Sequence, residues 1–196
     1  MRNYEPLKAC AKNGVIKTKD VEKNGIAKDY LQYAIADGIL EKVVHGVYVL
    51  MNELVDTLFV FQIKYPQAIF SSYTSAFLLD LTTRDVEKVY ASVPQSYNNP
   101  KLKEDGVAVL MRDNKDAYSF GVIQIKNSFG NSLLCHDPER TVCDFFNPKY
   151  IGDKFVQVEV LKNYLQSKEK NLAKLFDYAK KLGVLEELRK RVEVLL

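Results

Sequence analysis

A chain of 196 residues has room for one well-filled core or two small ones. Its 47% hydrophobic and 27% charged residues are the balance of an ordinary globular protein and exclude a disordered one. The net charge of +3 is too small to mark a nucleic-acid binder by itself, so any basic surface has to come from placement.

No stretch approaches the roughly 20 uninterrupted apolar residues of a membrane span, which makes a cytoplasmic protein without membrane partners the expectation. Cys10, Cys135 and Cys143 are odd in number and lack paired spacing, which argues for reduced, buried thiols and against a disulfide framework or zinc knuckle.

Asn3 or Tyr4 to Lys12 reads as a short helix with Leu7, Cys10 and Ala11 on one face. It is stopped by Asn13-Gly14, where a positive φ is accessible. Val15 and Ile16 are a brief extended piece. Thr18 stands where an N-cap belongs, and Asp20 adds negative charge at the positive end of a helix that Asn24-Gly25 ends after barely two turns. From Ala27 a third helix runs to Asp37-Gly38, with Tyr30, Leu31, Ala34 and Ile35 at helical spacing on an inward face shared with Ile26. Ile39–Val44 and Val47–Leu50 are β-prone runs joined at His45-Gly46, a small hairpin.

Three short helices and a two-stranded hairpin compose a winged helix-turn-helix, whose last helix enters the major groove while the hairpin reaches toward the backbone or minor groove. A winged helix devoted to protein contacts is the rival reading. The outward face of the third helix favours DNA, because it leaves Lys28, Asp29, Gln32, Tyr33 and Ala36 exposed. A lysine pairs with phosphate or guanine, a glutamine amide reads adenine, and a phenol donates to phosphate. Asp29 opposes phosphates unless it reads a cytosine or pairs with Lys28. Lys42 and His45 on the hairpin are natural backbone contacts, so the expected DNA-binding set is Lys17, Lys19, Lys28, Gln32, Tyr33, Lys42 and His45.

Beyond Asn52, Glu53 to Lys64 reads as an apolar helix buried between two halves of the chain, and Ser71 or Ser72 caps a helix reaching Leu79. Four β-prone runs follow, Val89–Val93, Val107–Met111, Phe120–Ile125 and Leu133–His136. Asp137 reads as an N-cap with Pro138 at the first helical position. The tail holds helical spacing over Phe155–Gln166, Asn171–Lys181 and Leu185–Leu195. The expected fold class is therefore α+β: a winged helix over 1–52, then a mixed α/β domain over 53–196 ending in helices, with a boundary that falls as late as 84.

Enzymatic readings find little purchase. Cys135-His136-Asp137 mimics a nucleophile, base and orienter, but strand neighbours point to opposite faces and cannot relay a proton among themselves. Ser71 and Ser75 lack a glycine-rich elbow. No Walker loop, paired metal-ligand motif or dinucleotide fingerprint occurs, so neither cofactor nor metal nor catalysis is expected. Arg140 and Asp144, one helical turn apart, are placed to pair. Arg140 otherwise joins Lys162, Lys168, Lys174 and Lys180 as a candidate partner or second DNA surface, which Glu159, Glu169 and Asp177 weaken.

The segment "GVIKTKDVEKNGIAKDYLQYAIADGILEKVVHGVYVL" resembles the N-terminal domain of AbiEi-type antitoxins, the transcriptional-regulator halves of bacterial abortive-infection, type IV toxin–antitoxin modules. "YPQAIFSSYTSAFLLDLTT", "VYASVPQSY" and "HDPERTVCDFF" are similar to later segments of the same family, so the likeness spans about residues 14 to 146. His45 stands where an arginine is common there, which leaves the hairpin's charge dependent on pH. The resemblance implies a repressor that binds double-stranded DNA with inverted repeats in its own promoter, as a monomer in solution or a dimer on DNA. It also implies an antitoxin that opposes a nucleotidyltransferase-like toxin without a stable complex. A stand-alone regulator with a ligand- or partner-sensing C-terminal domain is the alternative.

Overall fold

A computed structural model describes residues 2–84, 88–99, 101, 108–148 and 153–195. It is α+β, with ten helices and two sheets among those residues. The chain divides into two compact units, Met1–Pro66 with Ser128–Asn131, and Gln67–Asn127 with Ser132–Leu196. No helix among the described residues is long and apolar enough to cross a membrane.

The first unit runs α1 (Glu5–Lys8), β1 (Val15–Lys17), α2 (Thr18–Lys23), α3 (Asp29–Ala36), β2 (Leu40–Val44), β3 (Val47–Leu50) and α4 (Thr57–Lys64). Its antiparallel sheet has the order β1-β3-β2. The first helix is shorter than its apolar spacing suggests. It ends at Lys8, and Lys12, expected inside it, instead exchanges backbone hydrogen bonds of 2.9 and 3.0 Å with Val15 across Asn13 and Gly14, both at positive φ.

Leu31 and Ala34 of α3 are fully buried and Tyr30 and Ile35 half-buried, as the helical spacing requires. They close over Leu7, Ile16, Val21, Leu40, Tyr48 and Leu50. Each large apolar side chain so buried contributes about 1.5–3 kcal/mol.

Two expectations fail in this unit. Thr18 is not an N-cap: β1 extends to Lys17, which takes the cap position, and the Thr18 amide donates to the Gly46 carbonyl at 2.9 Å. Nor is Glu53 to Lys64 a buried helix. Asp56 caps α4 by accepting from the Phe59 amide at 3.0 Å, Leu54 lies outside the helix at 80% exposure, and no residue of α4 is fully buried.

In the second unit β4 (Ile69–Phe70), β5 (Val89–Pro94), β6 (Ala108–Asp113), β7 (Val122–Lys126) and β8 (Ser132–His136) form one sheet ordered β6-β5-β4-β8-β7. Strand β4 pairs parallel to β8 and antiparallel to β5, β5 is parallel to β6, and β7 is antiparallel to β8. The start expected at Val107 lies outside the described residues. Helices α5 (Ser72–Leu78), α6 (Lys115–Ser119), α7 (Pro138–Phe145), α8 (Lys154–Gln166), α9 (Leu172–Leu182) and α10 (Leu185–Leu195) accompany the sheet. The core joins Tyr73, Val142, Phe145, Val160, Leu161, Tyr164, Leu175 and Leu188.

Helix α7 carries an ionic centre inside that unit. Asp137 caps it by accepting from the Arg140 amide at 2.8 Å, and Pro138 follows. Arg140 Nε donates to Asp144 Oδ1 at 2.8 Å, His136 Nδ1 lies 2.8 Å from Asp144 Oδ2, and Arg140 Nη1 donates to the Ala117 carbonyl. The guanidinium also sits 4.7 Å from the centroid of the Phe120 ring. All three charged or polar side chains are at most 1% exposed. Gly121 permits this packing. It has φ +71°, and a Cβ there would come within 2.8 Å of Arg140 Cβ.

Burial on its own would raise the Asp144 pKa, but His136 and Arg140 outweigh it and hold the carboxyl below its ordinary value of 3.8. A depressed folded-state pKa stabilises above the unfolded-state value and loses that contribution as pH falls through the folded one. The fold is therefore expected to weaken once pH drops below about 3.8, and Asp144→Asn is expected to flatten that limb of the stability profile. Breaking the buried pair by Asp144→Asn or Arg140→Met should cost about 3–5 kcal/mol in urea denaturation at pH 7. A loss under about 1 kcal/mol would contradict a buried, charge-compensated role.

Candidate nucleic-acid interface

Strands β1 and β3 pair in the register Val15↔Val49, Ile16↔Tyr48 and Lys17↔Val47. That register lays the β2–β3 turn beside the start of α2, where the Thr18 amide bonds to Gly46. Gly46 has φ +76°, and an added Cβ would meet only Thr18 Oγ1 at 3.6 Å, so backbone conformation and not space calls for glycine. A register shift between Lys42 and Val44 bulges β2 ahead of the turn.

A groove of about 740 Å³ opens between this turn, the start of α2 and the outer side of α3. It brings together Lys17, Lys19, Lys28, Gln32 and His45, five of the seven residues expected to contact DNA, along with Thr18, Glu22 and Asp29. Leu31, Val47, Tyr48 and Ile63 supply its apolar lining. Lys17, Lys19, Lys28, Gln32 and His45 are all exposed. Lys42, also exposed, pairs with Tyr48 across β2 and β3 but is not among the groove-lining residues, and Tyr33 stands outside the groove at 43% exposure.

Two electrostatic details were not legible in the sequence. Lys28 pairs with Glu22, Nζ to Oε1 at 2.7 Å, and not with its neighbour Asp29. The hydrogen bond to Glu22, followed by its charge, raises the Lys28 pKa and keeps the ammonium protonated. Lys17 Nζ lies 5.9 Å from the centroid of the Phe59 ring, near the outer limit of a cation–π contact.

The candidate second surface divides. Arg140 is corrected from surface to core, since it is 1% exposed and committed to Asp144 and Ala117. Lys174 is engaged inside its own unit, with Nζ 3.0 Å from Asp137 Oδ2 and 2.9 Å from Glu139 Oε2. Burial opposes its charge, but hydrogen bonds to Glu139 and Asp137 raise its pKa well above the ordinary lysine value. Lys162, Lys168 and Lys180 are exposed, while Lys181 pairs with Asp177 at 2.7 Å.

The residues that mimicked catalytic groups are packed away. Burial pushes the Cys135 thiol up to about 12, far from thiolate formation at neutral pH. Ser75 donates to the Phe70 carbonyl at 2.7 Å, and the Ser71 hydroxyl is fully buried. All three cysteines are free and buried.

Because the groove side chains are solvent-exposed, Lys17→Ala, Lys28→Ala, Gln32→Ala and His45→Ala should each leave the urea midpoint of unfolding unchanged. Tyr48→Ala, beneath the same groove at 6% exposure, should lower stability by about 3 kcal/mol. A large loss of stability from the exposed substitutions would mean that the groove cations serve the fold.

No protein-family model and no curated protein matches this chain. Among solved structures its fold is similar to the crystal structure of the RV2827C protein from Mycobacterium tuberculosis, with a TM-score of 0.56 and 14% identity over 93% of this chain and 75% of that one. At such identity the likeness is one of fold.

Proposed function

We propose that residues 1–52 are a winged helix-turn-helix that binds duplex DNA in the promoter of the protein's own operon. On this reading the chain is the repressor and antitoxin of a type IV toxin–antitoxin module. The observation that carries the DNA reading is the groove, where Lys17, Lys19, Lys28 and His45 surround Gln32 on one face of α3 and the β2–β3 turn. The element order α1-β1-α2-α3-β2-β3 with a three-stranded sheet supports it.

Each residue then has a chemical task. Lys17 and Lys19 neutralise phosphates and His45 donates an N–H to one beside the groove that α3 enters, and Gln32 offers an amide to a base edge. Lys28 exchanges its Glu22 partner for phosphate or guanine. Lys42 contacts the backbone from β2. The antitoxin half of the reading is supported by the resemblance over residues 14 to 146, as is its corollary that a nucleotidyltransferase-like toxin is opposed without stable contact.

Fluorescence anisotropy with the duplex immediately upstream of the coding region, against a scrambled duplex at two salt concentrations, tests the DNA reading. Tight, salt-sensitive and sequence-selective binding is expected, weakened about tenfold or more by Lys28→Ala/Gln32→Ala. Equal, weak binding to both duplexes would assign the winged helix to protein contacts. Survival of cells expressing the adjacent toxin together with this protein is the expected outcome for the antitoxin function, and unrelieved toxicity would leave a stand-alone regulator.

A further inference from the structure

One more cation stands on the outer face of α3, contributed by the start of the chain. The Arg2 guanidinium carbon lies 4.3 Å from the centroid of the Tyr33 ring. Arg2 Nη1 donates to Asp37 Oδ2 at 3.3 Å, and the Tyr4 hydroxyl donates to the same oxygen at 2.5 Å. Tyr4 is itself buried, with its ring edge-on to Tyr30 at 5.8 Å. The first residues are thereby fixed at both ends of one short span, to an exposed ring of α3 and to its C-cap residue Asp37.

This anchoring does not require an arginine. Tyr4 already ties the segment to Asp37, and an exposed ion pair such as Arg2–Asp37, whose side chains are 49% and 41% exposed, adds little stability. What the arrangement supplies is orientation. The contact with the Tyr33 ring and the bond to Asp37 hold the guanidinium at two points, and the bond to Asp37 leaves further N–H donors for contact with phosphate. Tyr33 belongs to the outward face whose other members, Lys28 and Gln32, line the groove, so Arg2 extends the basic surface beyond the groove along the same helix.

We infer that Arg2 is a further DNA contact, taking a backbone phosphate next to the groove entered by α3. The inference rests on the DNA-binding reading of that helix. Such a contact adds affinity without sequence information and makes binding more salt-dependent.

The test is anisotropy titration of the full chain, tagged only at its C-terminus, with the upstream and scrambled duplexes across a series of salt concentrations. Wild type, Arg2→Ala, Arg2→Lys and Lys28→Ala/Gln32→Ala are compared, and thermal melts confirm that all four are equally folded. Arg2→Ala is expected to weaken binding several-fold on both duplexes alike and to reduce the slope of log K against log salt by about 0.9, the amount for one phosphate. Arg2→Lys is expected to keep the slope.

Wild-type affinity and slope in Arg2→Ala, alongside weakened binding by Lys28→Ala/Gln32→Ala, would overturn the Arg2 contact and spare the DNA reading. A loss confined to the upstream duplex would overturn a phosphate role in favour of base readout. Wild-type protein that binds neither duplex would remove both readings together.

Discussion

Antiparallel pairing of β1 with β3 is the constraint from which the candidate interface follows. Three residues, Val15 to Lys17, are enough to set it, because Ile16 is fully buried opposite Tyr48 and a one-residue slip would take Ile16 out of the core it shares with α3. With that register fixed, the strand has no slack before α2: the Thr18 amide meets Gly46, and Lys17, Lys19 and His45 arrive at one place from sequence positions almost thirty apart. The hydrophobic pairing of Ile16 with Tyr48 thus determines where the charges of the groove stand.

Charge is handled in opposite ways in the two units. In the first, cations and their acidic neighbours lie in solvent, where pairs such as Lys28–Glu22 are weak enough to exchange partners. In the second, Asp144 is shared between Arg140 and His136 at full burial, where removing Asp144 or Arg140 leaves the other's charge without its counter-ion. Exchangeable surface charge suits recognition of a polyanion.

The sequence revealed what is local. The inward face of α3, the turn at His45-Gly46, the Asp137-Pro138 helix start and the Leu185–Leu195 helix all follow from periodicity or from a residue's own backbone preference. Features that depend on distant partners were hidden. Thr18 looks like a cap until Gly46 takes its amide. Arg140 and Asp144 read as a pair at i, i+4, which the structure makes at 2.8 Å, but their burial becomes visible only with His136, Ala117 and Phe120 in place. Strand β4 has two residues and no alternation to betray it, and α6 lies in the short polar run between two β-prone stretches, where Asn114 caps it by accepting from the Ala117 amide at 2.8 Å. Lys28 and Gln32 share the groove because helix periodicity had already separated the outer face of α3 from its core face, and Lys17, Lys19 and His45 join them through the β1–β3 register. Arg2 was missed because its ring partner lies about thirty residues along the chain.

The most direct measurement is an amide chemical-shift titration of the isotope-labelled full chain with a duplex from the region upstream of its gene. The account predicts that the largest shifts fall on Lys17–Lys19, Lys28–Tyr33 and His45–Gly46, with those of α8 to α10 nearly still. Shifts concentrated on Lys162, Lys168 and Lys180, or no shifts at duplex concentrations well above micromolar, would contradict it.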